Sequence, residues 1–391
     1  MKVAFFHDVK ILENDSQMYS VDFGYEVWER YLQQFDDLIV CTRRESSDIA
    51  FQNYKLSSGQ NVAFKLNTEY NSPLDFFTKR KKINIPVKRV VSSADACIVR
   101  LPSIIGILAV KECIKQNKPW AVEVVGCCWD SLWNYGNIRG KLLAPIMYLL
   151  NRHYISKAKY VMYVSNEFLQ KRYPTKGISY GVSDVCIEEF DEHVCEARIN
   201  RIREYSKSQT FNIAMIGSLN VDYKGHRFAI KAIKELIQQG YNVKLSCLGG
   251  GNKEKWVTLA KDLDVEKNIE FCGTLPSGKP VLEWMDNIDL FIMPSLQEGL
   301  PRSMVEAMSR ACNVIGAKTG GIPELIESDF IFKPKDVNAL AKLASDFIED
   351  KELREKQSII NFVKAKEYQK EIIEQKRGLF YKTFKDSINT K

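Results

Sequence analysis

The 391-residue chain contains no run of about 18 consecutive apolar residues, so no transmembrane helix is expected. The N-terminal stretch MKVAFF is broken by His7 and Asp8. It is too short for a signal peptide and reads instead as a first buried strand. None of the ten cysteines form a Cys-x-x-Cys pair, and the four histidines (His7, His153, His193, His226) share no ligand spacing. No structural metal is therefore expected. Neither half opens with Gly-x-Gly-x-x-Gly, which argues against a dehydrogenase. The net charge of +7 is modest, and no zinc-finger, RNP or helix-turn-helix pattern is present, so nucleic acid is not an expected partner. There is no low-complexity segment and no repeat on the 20–50-residue scale of solenoids.

What is present is an ordinary soluble composition, 45% hydrophobic and 27% charged, long enough for two domains. The cysteines lie mostly inside apolar runs, as buried thiols in a reducing cytoplasm would. Apolar runs 2–6, 37–42, 96–100, 120–126 and 160–165 read as buried strands. Amphipathic stretches 21–34, 104–116 and 141–156 read as helices between them. A second series follows, with strands at 211–217, 243–249, 269–273, 289–294 and 312–317 and helices at 226–239 and 304–310. Strand–helix alternation predicts an α/β fold of two Rossmann-like, doubly wound domains facing a cleft. The expected boundaries are 1–190 for the first domain, 205–365 for the second and 366–391 for a terminal helix. The charged stretch 187–209 reads as a surface helix and linker.

The segment MPSLQEGLPRSMVEAM, Met293 to Met308, carries the chemistry. A buried strand ends at Pro294 and a helix begins near Pro301 or Arg302, where a missing N–H costs nothing. Ser303 and Glu306 have capping-box spacing. Taken singly, Glu306 is a capping carboxylate and Glu298 a solvated loop acid. Together they stand before and inside a helix N-terminus that can receive a phosphate or an oxygen-rich ligand. Carboxylates at two depths suit two sets of hydroxyls.

Glu298 and Glu306 match a Glu-x7-Glu motif. With the flanks EGLPRSMVEAM and GGIPELI (320–326), the chain resembles glycosyltransferase family 4, and especially bacterial enzymes of capsule and surface-polysaccharide assembly. The resemblance implies a retaining enzyme of the GT-B fold, whose C-terminal helix, here AKEYQKEIIEQKRGLFYKTF, crosses back to the first domain. It implies that Glu298 contacts donor-sugar hydroxyls and Glu306 the ribose, with Gly299, Leu300, Pro301 and Arg302 lining the donor. It assigns Gly217, Ser218 and Lys224 to the diphosphate. The family has an Arg directly after the glycine and a Lys six residues on, so Lys224 fits and Ser218 departs. Gly249 and Gly250 match its glycine-rich turn, and Leu275 the segment beside the base. Catalysis would rest on Glu298 and Lys224, with no metal and no cofactor, the UDP-sugar donor being a substrate.

On the acceptor side, VEVVGCCWDSLWNYG resembles the corresponding loop of the same enzymes, with Cys127 where many relatives carry an acid. Asp130 is the nearest acid. Trp129, Trp133 and Tyr135 either stack on a sugar or pack in the core. A catalytic Cys127 is not expected, because no paired base is evident. The acceptor implied is a saccharide or a polyprenyl-diphosphate-linked sugar. Phe76, Phe77, Lys79, Arg80, Lys81 and Lys82 form either a solvated basic loop, or a contact with an acceptor's diphosphate or with an anionic membrane surface, the inner face of the plasma membrane. Two other readings stand beside transfer: a nucleotide-sugar epimerase on the same fold, and a non-catalytic nucleotide-sugar-binding partner subunit, motivated by Ser218 and Cys127.

Overall fold

The computed structural model describes residues 1–46, 54–70, 75–134 and 138–389. The side chain of Phe77 and all of Tyr135 lie outside the described residues. The chain divides into two compact units, Met1–Asp184 with Glu374–Lys391, and Val185–Ile373. Each is an α/β unit built on a parallel sheet.

In the first unit the parallel strands run, across the sheet, Val62–Asn67, Asp37–Arg44, Lys2–Asn14, Ala96–Leu101, Trp120–Val124, Tyr160–Tyr163 and Ile178–Gly181. Counted along the chain this is the order 3-2-1-4-5-6-7. The order reverses between Lys2–Asn14 and Ala96–Leu101, paired as Val3 with Ala96 and Phe6 with Val99. Central strands such as ACIVRL are buried on both faces, which is why they read as continuous apolar runs. The outer strands Val62–Asn67 and Ile178–Gly181 are half-exposed, so they give no such signal.

Lys2–Asn14 continues well past the expected 2–6. It folds back through Asp15 and Ser16, at φ 46° and 63°, to pair antiparallel with Gln17–Ser20. A two-residue turn with positive φ at both positions matches strand twist. Here it lacks the glycine that would announce it.

The helix Lys370–Asn389 carries the chain back into the first unit from Glu374 onward. Its anchor is polar. Tyr381 Oη donates to the buried Glu123 at 2.7 Å, and Tyr31 Oη donates to the same carboxylate at 3.0 Å. Arg377 donates to the Ser183 carbonyl at 2.9 Å and pairs with Asp184 at 3.5 Å. Burial pushes the Asp184 carboxyl up, but Arg100, Arg377 and Arg30 outweigh it and hold it below the usual range.

The second unit has a six-stranded parallel sheet in the order Ile269–Gly273, Val243–Leu248, Phe211–Ile216, Leu290–Met293, Asn313–Ala317, Ile331–Phe332. Along the chain this is 3-2-1-4-5-6, reversing between Phe211–Ile216 and Leu290–Met293. The stretch 187–209, expected as a surface helix and linker, does hold a helix, and that helix is anchored by a buried arginine. In helix His193–Glu204, Arg198 is 4% exposed and donates to the carbonyls of Met285 at 2.9 Å and Arg310 at 3.3 Å. All ten cysteines are free thiols, and seven are buried.

Candidate functional site

In open α/β sheets, ligands bind beyond the carboxyl ends of the strands where the strand order reverses. In the second unit two loops meet there, one after Phe211–Ile216 and one after Leu290–Met293. Leu296 N–H donates to the Tyr223 carbonyl at 2.7 Å. Gly225 sits at φ +84°, and a Cβ there would lie 2.1 Å from the Pro294 carbonyl oxygen. Only glycine permits both the conformation and the approach. This contact aligns the next-door side chain: Lys224 Nζ donates to Glu298 Oε1 at 2.8 Å. The two side chains are 23% and 9% exposed, so they form a largely desolvated ion pair. The aliphatic stem of Lys224 crosses Gly217, where a Cβ would come within 2.9 Å of its Cγ. The two residues expected to do the chemistry are thus brought together from positions 74 apart in sequence.

Glu298 is also held from behind. Gly320 lies at φ +56°, and a Cβ there would stand 2.0 Å from the Glu298 carbonyl oxygen. Gly321 N–H donates to the Gly299 carbonyl at 2.7 Å. The KTGGIPE turn is therefore the buttress of the Glu298 loop.

Two helices start at this edge, His226–Gln238 and Arg302–Ser309, and neither has a side-chain cap. The expected capping box does not form. The N-cap is Pro301, so Ser303 falls inside the first turn and cannot reach back as a cap. Glu306 is consequently free of that duty. It is half-buried, and while its carbonyl accepts from Ser309 Oγ at 2.7 Å, its carboxylate has no hydrogen-bond or ion-pair partner among the described residues. Burial raises its carboxyl above the usual range, with Arg302 opposing. A desolvated carboxylate without an internal partner is costly unless something else supplies the donors.

The remaining residues expected to line the donor take varied positions. Ser218 is exposed and its hydroxyl accepts from Asn220 N–H at 3.3 Å. Leu219 N–H donates to the Gly250 carbonyl at 2.9 Å, and Gly249 N–H to the Gly273 carbonyl at 2.7 Å, so the glycine-rich turn is held between the loop after Phe211–Ile216 and the end of Ile269–Gly273. Leu275 is 38% exposed. Arg302 is exposed, Leu300 half-buried, Pro301 buried, and Gly299 has open space where a Cβ would stand. His226 follows the Lys224–Gly225 turn. It is fully buried and stacks on Trp256 at 5.2 Å, and burial with Lys255 nearby lowers its pKa to about 4. A neutral ring there adds no second charge beneath Lys224. Only a turn followed directly by an apolar-faced helix hinted at it in sequence.

In the first unit, Cys127 is 5% exposed and Cys128 4%. Tyr173 binds both: Cys128 N–H donates to its oxygen at 3.1 Å, and its hydroxyl approaches Cys127 Sγ at 3.6 Å. Burial pushes both thiols up, Cys128 to about 12. Neither is a thiolate at neutral pH. Asp130 pairs with Arg172 at 3.5 Å. Trp129 and Trp133 stack on each other at 5.4 Å, with Trp133 44% exposed. Phe76 is 7% exposed and packs in the core, so it does not present itself to a membrane.

Sequence reading passed over another feature of this unit. Between the strand Lys2–Asn14 and the end of its neighbour Asp37–Arg44 lies a cavity of about 350 Å3 lined by His7, Asp8, Lys10, Arg43 and Glu45 among others. Asp8 accepts from Ser103 Oγ at 2.8 Å and from the N–H groups of Ile104 and Ile105 at 2.7 and 2.9 Å, tying the loop to the helix Ile104–Lys115. Burial and then Arg100 lower the His7 pKa to about 3, so the ring is neutral. The signal available was two polar residues, His7 and Asp8, directly after the buried apolar run Val3–Phe6. Among the described residues no group of three or more His, Cys, Asp or Glu could hold a metal ion.

Residues 210–350 match the family model described as "Glycosyl transferases group 1". The chain is 34% identical over 391 residues to Protein CapJ of Staphylococcus aureus, covering all of this chain and 97% of that one. The chain belongs to the group 1 glycosyltransferases. It is also 33% identical over 134 residues to the putative colanic acid biosynthesis glycosyltransferase WcaL of Escherichia coli, about a third of each chain (32% and 33%). The fold of this glycosyltransferase is that of Anabaena HepE, solved in complex with UDP and glucose. The two align with a TM-score of 0.61 over all of both chains (100% of each) at 16% identity. The expected two-domain α/β, GT-B-type architecture is therefore the one found.

Proposed function

We propose that this glycosyltransferase moves a sugar from a UDP-sugar to a saccharide or polyprenyl-diphosphate-linked acceptor in surface-polysaccharide assembly, retaining anomeric configuration and needing no metal. The observation that carries the reading is the Lys224–Glu298 pair at 2.8 Å, where the strand order reverses between two uncapped helix starts. A diphosphate entering there exchanges with Glu298 for the Lys224 ammonium. Glu298 is then released to accept hydrogen bonds from donor-sugar hydroxyls, while Glu306 accepts from the ribose. As the bond from the anomeric carbon to the diphosphate oxygen breaks, Lys224 and the helix N–H groups take up the developing charge. The acceptor oxygen bonds to the anomeric carbon from the same face, and its proton passes to the departing phosphate. This route needs no side-chain base, which agrees with inert thiols at Cys127 and Cys128. Without an arginine at Ser218, the phosphate grip rests on Lys224 and backbone N–H groups.

The CapJ and WcaL relationships support the polysaccharide part, and the UDP and glucose complex of HepE supports the donor class. In the first unit, the cavity beside His7 and Asp8 is the stronger acceptor-side candidate, with Trp129, Asp130 and Trp133 bordering the next loop. We assign the enzyme to the inner face of the plasma membrane, with Lys79, Arg80, Lys81 and Lys82 toward anionic headgroups. No helix of the described residues is long and apolar enough to cross a membrane.

The test is calorimetric titration with a panel of nucleotide sugars, followed by product analysis. Saturable binding of at least one UDP-sugar and a glycoside product are expected; no binding by any donor would sink the reading. Glu306 gives a sharper check. Its native pKa is raised, so the folded state holds a proton more tightly than the unfolded state, and stability falls as pH rises through that range. Glu306→Gln removes this cost. The free variant should melt no lower than wild type at neutral to alkaline pH, yet bind donor about 10- to 100-fold more weakly, the effect of losing a hydrogen bond to a charged group. Thermal melts with and without UDP read both; a variant that binds UDP normally removes Glu306 from the ribose site.

A further inference from the structure

The helix Ile138–Ile155 has two apolar faces. One packs inward through Gly140, Ala144, Met147, Asn151 and Ile155, all buried. The opposite face carries Ile138, Leu142, Ile146 and Leu149, which are 77%, 69%, 48% and 62% exposed. Spacings of four, four and three residues put these four on one line of a helix with 3.6 residues per turn. A contiguous exposed apolar stripe of this kind marks a binding surface rather than chance. The half-exposed Trp133 adjoins its first turn, with Lys141 Nζ 5.9 Å from the ring centre.

The charge around the stripe says what covers it. From residue 131 to 166 there are five lysines and arginines and no aspartate or glutamate. Arg139, Lys141 and Arg152 are exposed on the helix itself. Near its C-terminal end, on the side turned away from the stripe, Lys111 Nζ stands 5.5 Å from the Tyr154 ring centre. The basic flanks of the stripe are therefore those of its own helix, Arg139, Lys141 and Arg152. A second copy of this face would meet like charge with like charge. An anionic lipid surface meets both features at once: acyl chains for the stripe, headgroups for its basic flanks.

We infer that the outward stripe of Ile138–Ile155 inserts into the interfacial layer of an anionic membrane and seats the first unit on it. The inference rests on the membrane part of the reading above and is independent of sugar transfer. It assigns the apolar anchor to this helix, in place of the buried Phe76.

Vesicle sedimentation of the full chain tests it, with phosphatidylcholine vesicles alone or containing about one-third phosphatidylglycerol. The wild type should bind the anionic vesicles and lose binding as salt is raised. Leu142→Glu with Leu149→Glu should lower that binding at least tenfold, while melting temperature and UDP binding stay unchanged. Leu142→Phe with Leu149→Phe should retain it. If the glutamate pair binds like wild type but Lys81→Gln with Lys82→Gln does not, the stripe is overturned and the headgroup contact survives. If wild type binds no vesicle, both fall. A glutamate pair that only dissociates a dimer, with vesicle binding intact, makes the stripe an interface between copies and also overturns the inference.

Discussion

Lys224→Ala is expected to lower turnover by about 100- to 1,000-fold, the loss typical of removing one preorganised charge donor from a transition state. Its Nζ donates to Glu298 at 2.8 Å in the free protein, and with Ser218 exposed at the position after Gly217, no arginine stands there to share the load. Lys224→Arg should recover only part of the rate, since a planar guanidinium cannot substitute for a compact ammonium over Gly217. Initial-rate kinetics with saturating donor separate the cases. The loss belongs in kcat, with a smaller rise in KM, if the lysine acts on the leaving diphosphate. A variant within threefold of wild type excludes that role. Removing one partner of a largely desolvated pair also strands the other. Glu298→Gln combined with Lys224→Ala should therefore restore some stability relative to Lys224→Ala alone, without restoring rate.

Gly320→Ala has the second large effect, although residue 320 itself touches no substrate in this scheme. The added Cβ would lie 2.0 Å from the Glu298 carbonyl oxygen, at a φ of +56° that alanine resists. Left-handed strain of about 1 kcal/mol plus overpacking of about 1–3 kcal/mol gives a loss of about 2–4 kcal/mol. For a unit of this size that is a melting-temperature drop on the order of 5–15 °C. The backbone must move to relieve the contact, and the part that moves carries Glu298. Sugar transfer should fall at least tenfold, while UDP binding through Glu306 changes less, since misplacement of a reacting group is penalised steeply. Gly240→Ala is the control: φ is +89° but nothing stands within 4 Å of the new Cβ. Its effect should be the strain alone, with transfer intact. Equal losses in the two variants would show that the Gly320 contact does not position Glu298.

Much of this could be read before folding. Buried parallel strands show as unbroken apolar runs because both faces are covered, so the central strands of both sheets were legible. The half-exposed edge strands Val62–Asn67 and Ile178–Gly181 were not, since one-sided burial and short length leave no pattern. The hairpin at Asp15 and Ser16 escaped because its turn uses residues that tolerate positive φ without advertising it. The Ser303–Glu306 spacing pointed to a capping box that the chain does not make, because Pro301 takes the cap position. The basic patch was visible, but Phe76 within it is core, and the exposed apolar stripe lies on the helix Ile138–Ile155, whose outer face looks, in one dimension, like more interior.

By itself the sequence determined the two α/β units and the Glu-x7-Glu segment, because periodicity and local turn chemistry are properties of neighbours along the chain; the class of enzyme came from the resemblance of that segment and its flanks to a known family. Only the tertiary structure decided that Lys224 and Glu298 are partners, that Gly225 and Gly320 hold their loops, that Tyr173 lies against Cys127 and Cys128, and which face of Ile138–Ile155 remains uncovered. Those depend on which strands lie side by side where the order reverses. Burial, pairing and close approach between residues far apart in the chain arise from that adjacency and are written in no local pattern.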